Sequence, residues 1–257
     1  MLGRPRSADA PRVDVPLVDV PLVDVRRAAD RFLTVSDGLE IRHGFSAGRH
    51  YDSANTSYGP LLGHDEITLR PGAGFPPHSH RDVEIVTWVL SGTLVHEDSA
   101  GHRGRLVPGA VQRLRAGDGV VHSERSDAPA ERTHVVQMSV HAQESASPAY
   151  ASCALDDAEL AAGLVIVASG IPARAGAVSL LARETALHVG RLSSGVSREL
   201  PEAPRVHVYV VRGTVVLAGV GPLSAGDAVR LTNGGGATVT AVGAAELLVW
   251  ELPAPPG

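Results

Sequence analysis

Turn signals recur along this chain at intervals too short for long helices and well matched to strands. Glu84–Leu90 (EIVTWVL) is β-branched and aromatic, and Ser91-Gly92 ends it. Thr93–His96 resumes the run. Further turns follow at Ser99-Ala100-Gly101, Pro108-Gly109 and Gly117-Asp118-Gly119, before another run at Val135–Val140. Runs of this kind bounded by turn residues form strands, and strands this closely spaced form a sandwich or barrel. The second half has the same character at Leu164–Ala168, Ala177–Leu181, Leu187–Leu192, Val206–Val211, Thr214–Ala218, Ala228–Leu231 and Glu246–Leu252. One short helix is expected at Asp156–Ala162. WVLSGTLVHED (88–98) and YVVRGTVVLAG (209–219) share a strand–Gly–strand pattern, which two copies of one β unit explain most simply.

The expected architecture is therefore all-β, with two β-barrel domains in tandem. A polar, small-residue stretch at Gln143–Pro148 marks the boundary, giving an N-terminal domain at 26–147 and a C-terminal domain at 148–257. Ahead of them, 1–25 is read as an extended low-complexity tail. Its repeat VDVPLVDVPLVDV (13–25) carries prolines that remove backbone donors, and it is expected to lie along a sheet edge.

Bulk properties exclude several functions. Net charge is −5, which argues against direct nucleic-acid binding and against an anionic membrane surface. Cys153 is the lone cysteine, so there is no internal disulfide and no thiolate-rich zinc site; an inert thiol is expected. No apolar run approaches the ~20 residues of a membrane span, and Asp14, Pro16, Asp19 and Pro21 interrupt any secretory core. The expected compartment is the cytoplasm.

Two histidine motifs carry the chemistry. His78-Ser79-His80 puts two imidazoles on one face of a strand, because side chains alternate with period two. Glu84 has the same parity and joins that face if the strand stays regular. His122-Ser123-Glu124, after Gly117-Asp118-Gly119, repeats the i, i+2 arrangement. Three neutral imidazoles and one carboxylate suit one divalent ion, iron(II), manganese, nickel, copper or zinc, and the residues do not choose among them. The residues themselves leave open whether Glu84 or Glu124 completes the set.

Gly72-x₅-His78-x-His80-x₃-Glu84-x₇-Gly92 resembles the first motif of cupins, and Gly119-x₂-His122 resembles the core of the second. The text at 96–124, with RRAADR (26–31), HGFSAGRHYD (43–52) and YGPL (58–61), is similar to the pirin family specifically. That resemblance implies two jelly-roll type cupin barrels with one metal in the first. It assigns His78, His80, His122 and Glu124 as ligands and leaves Glu84 as a neighbouring pocket group, with Glu124 or Glu84 as general base. It implies a metal-dependent dioxygenase of the quercetin 2,3-dioxygenase type, acting with dioxygen on a flavonol, or another small aromatic or enol substrate. The alternative is a redox-responsive regulatory protein that binds a transcription regulator or metabolic enzyme. Two departures bear on substrate fit: Leu114-Arg115 replace the family's Met-Ser or Met-Thr, and Gln137-Met138-Ser139 lacks its Trp.

The remaining histidines of the first half (His43, His50, His64, His96, His102, His134, His141) are read as surface or hydrogen-bonded groups, with His43 and Tyr51 bordering the metal pocket. His188 and His207 have no paired partner motif, so the second barrel is expected to be metal-free. Gly234-Gly235-Gly236 is a turn, and Trp88 a core residue.

Overall fold

The computed structural model describes residues 21–127, 129, 131–142 and 146–254; residues 13–20 of the repeat lie outside them. The first strands are β1 (Leu22–Arg26), β2 (Phe32–Ser36), β3 (Leu39–His43), β4 (Leu61–Leu69), β5 (Gly74–His80) and β6 (Val83–Ser91). Next come β7 (Leu94–Asp98), β8 (Arg103–Leu106), β9 (Ala110–Arg115), β10 (Val120–Ser126), β11 (Thr133–His141) and β12 (Ala149–Ala154). Helix α1 (Asp157–Ala162) follows, capped by a reciprocal pair: the Asp156 carboxylate accepts from Glu159 N–H, and the Glu159 side chain accepts from Asp156 N–H. Then come β13 (Val165–Ser169), β14 (Val178–Ser179), β15 (Ala186–Leu192), β16 (Ser197–Glu199) and β17 (Arg205–Arg212). The chain ends with β18 (Thr214–Leu217), β19 (Gly221–Ser224), β20 (Ala228–Thr232), β21 (Thr238–Ala241) and β22 (Ala245–Leu252).

These strands build the same unit twice. A seven-stranded sheet β12-β9-β6-β11-β4-β3-β2 faces a four-stranded sheet β5-β10-β7-β8, and β1-β20-β17-β22-β15-β13-β14 is matched with β16-β21-β18-β19. Position by position the orders correspond, and the sequence echo falls on β6–β7 and β17–β18. Gly92 and Gly213 sit at the two equivalent turns with φ of 74° and 77°, the left-handed region glycine enters without strain.

The copies exchange their outermost strands. β12, the strand just after the expected boundary, is hydrogen-bonded to β9 of the first sheet, so the sheets do not divide at 147/148. β1, the end of the repeat, pairs antiparallel with β20 at the edge of the second large sheet. One edge of each large sheet is thereby covered by a segment from beyond its own barrel.

The two large sheets pack against each other through one apolar core. Val86, Trp88, Met138 and Val140 from the first meet Leu187, Tyr209, Leu248 and Trp250 from the second. Trp88 is fully buried, as expected, and its indole N–H donates across the interface to Glu246 at 2.8 Å. No helix among the described residues is long and apolar enough to cross a membrane.

Candidate metal centre

The small sheet of the first barrel brings the two histidine motifs together. β5 and β10 run antiparallel with His122 opposite His78 and Val120 opposite His80. The register then slips, so that Glu124 faces Phe75. Pro76-Pro77 lie in that slip; prolines have no N–H for the ladder and are tolerated at such irregularities. Close approach depends on Gly74, where an added Cβ would lie 2.1 Å from the Glu124 carbonyl oxygen.

The result is a cluster in which His78, His80 and His122 each present a nitrogen, all within 4.8 Å of one another. His96, His122 and Glu124 form a second such group, sharing His122. His122 and Glu124 are buried and His78 and His80 half-buried, so the cluster opens on the β5 side. Both ring nitrogens of His122 are buried without a protein partner, a costly arrangement unless another group engages them. Burial, outweighing the opposing Glu124 charge, pushes the His122 pKa down to about 4, so its nitrogens stay available as neutral ligands. His80 is lowered too, by burial and then by His78. The His78 Nδ1–H donates to the Pro76 carbonyl at 2.8 Å, which leaves Nε2 as the free lone pair.

Glu124 is braced from the facing sheet. Gln112 on β9 and Gln137 on β11 donate amide N–H groups to its two oxygens, at 2.5 Å and 2.7 Å. Both amides also reach Thr87 Oγ1 at 3.3 Å. Burial favours the neutral acid, but His96, His122 and Gln137 outweigh it and hold Glu124 below the ordinary carboxylate range. The donor set thus fits one divalent ion: neutral imidazoles, an ionised carboxylate, and partners that fix their orientation.

Glu84 is elsewhere. β5 ends at His80, and the chain turns at Asp82, with φ of 57°, before β6 begins, so the assumption of one regular strand from His78 to Glu84 fails. Along β6, Thr87 faces the cluster while Glu84 has the opposite parity and faces the second barrel. Its carboxylate accepts from the backbone N–H groups of Leu181 and Ala182, at 2.7 Å and 3.1 Å. Glu84 therefore points away from the His78, His80 and His122 cluster.

Several residues near the cluster were not singled out by the sequence reading. His96 is fully buried on β7 directly opposite Glu124, with Nδ1 3.6 Å from Oε1 and Nε2 3.3 Å from Asp98. Burial lowers its pKa, but the Glu124 and Asp98 carboxylates outweigh that and leave it raised. Tyr150 on β12 stacks on the His96 ring, centroids 4.8 Å apart, and its hydroxyl donates to Gln112 at 3.2 Å. The period-two parity that pairs His96 with Asp98 on one face was the available signal for His96. Tyr150 gave none, because its strand comes after the apparent boundary. Ser139 shares the inward parity of Gln137. His43 bonds Asp65 and Thr34, and Tyr51 is 75% exposed.

The comparisons with known proteins agree with this geometry. Residues 23–140 match the pirin family. A Mycobacterium tuberculosis protein is 46% identical over 89% of this chain and 94% of its own length. The chain belongs to the pirin family. The Pirin-like protein of Caulobacter vibrioides is 32% identical, covering 82% of this chain and 91% of its own. The solved bacterial pirin YhhW from Escherichia coli, in complex with nickel(II), superposes with a TM-score of 0.81 at 26% identity, over 90% of this chain and 99% of that one. Quercetin 2,3-dioxygenase of Escherichia coli is 28% identical over 89% of this chain. As a pirin, the chain is two cupin domains in tandem.

Within that architecture the second barrel lacks the first one's ligands. The strand equivalent to β5 is β16 (Ser-Arg-Glu), and the one equivalent to β10 is β21 (Thr-Val-Thr-Ala); neither carries an imidazole. His188 bonds Glu251 at 3.2 Å, and His207 faces the region between the barrels.

Proposed function

We propose that this pirin is a metal-dependent dioxygenase that holds one divalent ion with His78, His80, His122 and Glu124. The observation that carries the reading is the convergence of three imidazole nitrogens within 4.8 Å beside a carboxylate braced by two glutamine amides. Iron(II) is the first choice of metal; manganese, nickel, copper and zinc suit the same donors. Relatives named for quercetin 2,3-dioxygenase activity point to a flavonol or related enol as the substrate class.

Bound there, such an ion supplies positive charge that favours the ionised enol and a centre for electron exchange with dioxygen. The chain's own residues do the rest. The half-buried β5 side admits the substrate past His78 and His80. Gln112 and Gln137 keep Glu124 ionised and fixed in orientation. Glu124 is a weak base, so it accepts a proton only from a hydroxyl already made acidic in the site. Ser139, where relatives have Trp, gives a roomier inner wall beside Gln137 and so widens the range of ring systems accepted.

The test is oxygen consumption with quercetin by protein reconstituted with each metal in turn. Uptake that needs both metal and flavonol, and that His80→Ala abolishes, supports the reading. Fully loaded protein that consumes no oxygen with any flavonol or enol refutes it.

A further inference from the structure

A second polar site lies on the far side of the first large sheet. Along β4, Ile67 packs inside the first barrel with Val89, Leu94 and Val135, so His64 and Glu66 point the other way, toward the second barrel. There the two domains enclose a cavity of about 140 Å³ lined by Arg31, Asn55 and His64 from the first and His207, Tyr209 and Arg230 from the second. A cavity of about 150 Å³ accommodates benzene, so this one has room for a ligand of that size.

Its lining residues carry several buried polar atoms without partners. His64 and His207 are 1% and 2% exposed, yet His64 Nε2 and His207 Nδ1 have no hydrogen-bond partner in the protein. The same holds for Nε of Arg31 and of Arg230. The two guanidinium groups are otherwise fixed in place. Arg31 donates to Glu66 at 3.1 Å and to the Tyr209 hydroxyl at 2.9 Å. Arg230 donates to Asn55 Oδ1 at 2.7 Å and lies 4.3 Å over the Phe45 ring. Its nearest carboxylate, Asp24 at 3.6 Å, is shared with Arg26, so its charge is incompletely matched.

We propose that this interdomain cavity binds a small carboxylate, the oxyanion held by Arg230 and Arg31 with His64 and His207 turned toward it. The unpartnered Nε–H groups of Arg31 and Arg230 call for an acceptor, each neutral imidazole can turn its N–H to one, and the Arg230 guanidinium matches carboxylate geometry. The local field points the same way. Burial, then the charges of Arg230 and Arg31, push the His207 pKa down to about 3; the burial part disfavours any charge, and only the arginine part favours an anion. Asp30 and Asp52 also line the cavity, but so do Arg26 and Arg27, so the lining keeps an excess of positive charge. Phe32 and the Tyr209 ring supply apolar wall for a short or aromatic body. Because the ligand touches both barrels, it ties their docking to its own occupancy. None of this depends on the metal reading.

The test is calorimetric titration of the metal-loaded protein with benzoate, acetate and inorganic phosphate at matched ionic strength. Saturable binding of a carboxylate at one site per chain, weakened at least about tenfold by Arg230→Gln and by His207→Gln, supports the proposal. Arg230→Lys, which keeps the charge and loses the fork, carries the same test if Arg230→Gln does not fold, and should also weaken binding. Binding that His80→Ala abolishes and the cavity variants leave unchanged places the anion at the metal and overturns the proposal. So does a preference for phosphate over both carboxylates, or no saturable binding of any of the three.

Discussion

Glu84 and Glu124 are both buried glutamates on strands of one barrel, and their replacement should have opposite consequences. In Glu84→Gln the amide oxygen can still accept from Leu181 and Ala182 N–H, but the charge facing Arg113 at 3.9 Å and Arg115 at 3.6 Å is gone. Hydrogen bonds to a charged group contribute roughly 1.5–3 kcal/mol, so weakening these two costs about 2 kcal/mol. Glu84→Ala is harsher. It leaves two buried N–H groups without an acceptor and two guanidiniums without a facing carboxylate, although Arg113 still donates to the Ser179 and Ala149 carbonyls, and breaking a buried pair in this way costs about 3–5 kcal/mol. For a chain of this length about 1 kcal/mol corresponds to roughly 2–4 °C in melting temperature. The expected drops are therefore about 4–8 °C for Glu84→Gln and about 6–20 °C for Glu84→Ala. Metal content should be unchanged, because Glu84 and Thr87 have opposite parity on β6. Glu124→Gln should lose the ion and any oxygenase turnover, with Gln112 and Gln137 left facing an amide they cannot both satisfy. The assay is elemental analysis of both variants after one dialysis, together with thermal denaturation. If Glu84→Gln loses the ion while Glu124→Gln retains it, the ligand assignment is wrong.

Other substitutions test the remaining links. The chain should bind about one metal per molecule, and His78→Ala or His80→Ala should lose it; full occupancy of His80→Ala by elemental analysis would contradict the ligand set. Gly74→Ala should destabilise by roughly 1–3 kcal/mol in urea titration and weaken metal retention, since its Cβ would force β5 away from Glu124. Glu66 links pH to stability: burial raises its pKa, but bonds from His134, Tyr209 and Arg31 outweigh that and bring it down to about 2 from 4.5. Its contribution is therefore present above about pH 4.5 and lost as pH falls toward about 2, on the order of 2–3 kcal/mol in all. In urea titrations at pH 6 and pH 3, Glu66→Gln should show a smaller acid-induced loss than the parent; equal losses would remove Glu66 from the account.

The strands that pack on both faces were legible, because burial there selects β-branched and aromatic runs. EIVTWVL became β6, Val206–Val211 became the middle of β17, and Glu246–Leu252 nearly all of β22. β16, β19 and β21 were not, since SRE, GPLS and TVTA are too short and polar to show alternation. The histidine pairs survived translation into three dimensions because i, i+2 needs only one regular step. Glu84 did not, because four intervening residues were enough for the chain to turn at Asp82 and change strands. Spacing puts His96 and Asp98 on one face but does not say that β7 pairs with β10 and so sets His96 opposite Glu124, and Tyr150 arrives by stacking from a strand with no such signal. Exchange of β1 and β12 was equally hidden: local composition indicates a strand, while its partner is fixed by topology.

The second barrel keeps the fold and drops the histidines, and its contacts explain why it is retained. It presents Leu181 and Ala182 N–H to Glu84, Glu246 to the Trp88 indole, and Trp250 to Met138. All three receiving residues lie on β6 or β11, the strands that carry Thr87 and Gln137 on their other face. Residues alternate across a strand, so fixing the outward set fixes the inward set. The first barrel thus has the amide and hydroxyl beside Glu124 aligned from behind by the second barrel. Loosening that interface should relax the site without touching a ligand. Trp88→Phe keeps most of the packing and leaves Glu246 without its indole donor, although Arg191 and Arg212 stay near it at 3.5 Å and 3.9 Å. It should cost about 1–3 kcal/mol of stability and speed metal loss on dialysis. Unchanged retention in a destabilised Trp88→Phe would show that the two faces of the sheet are independent.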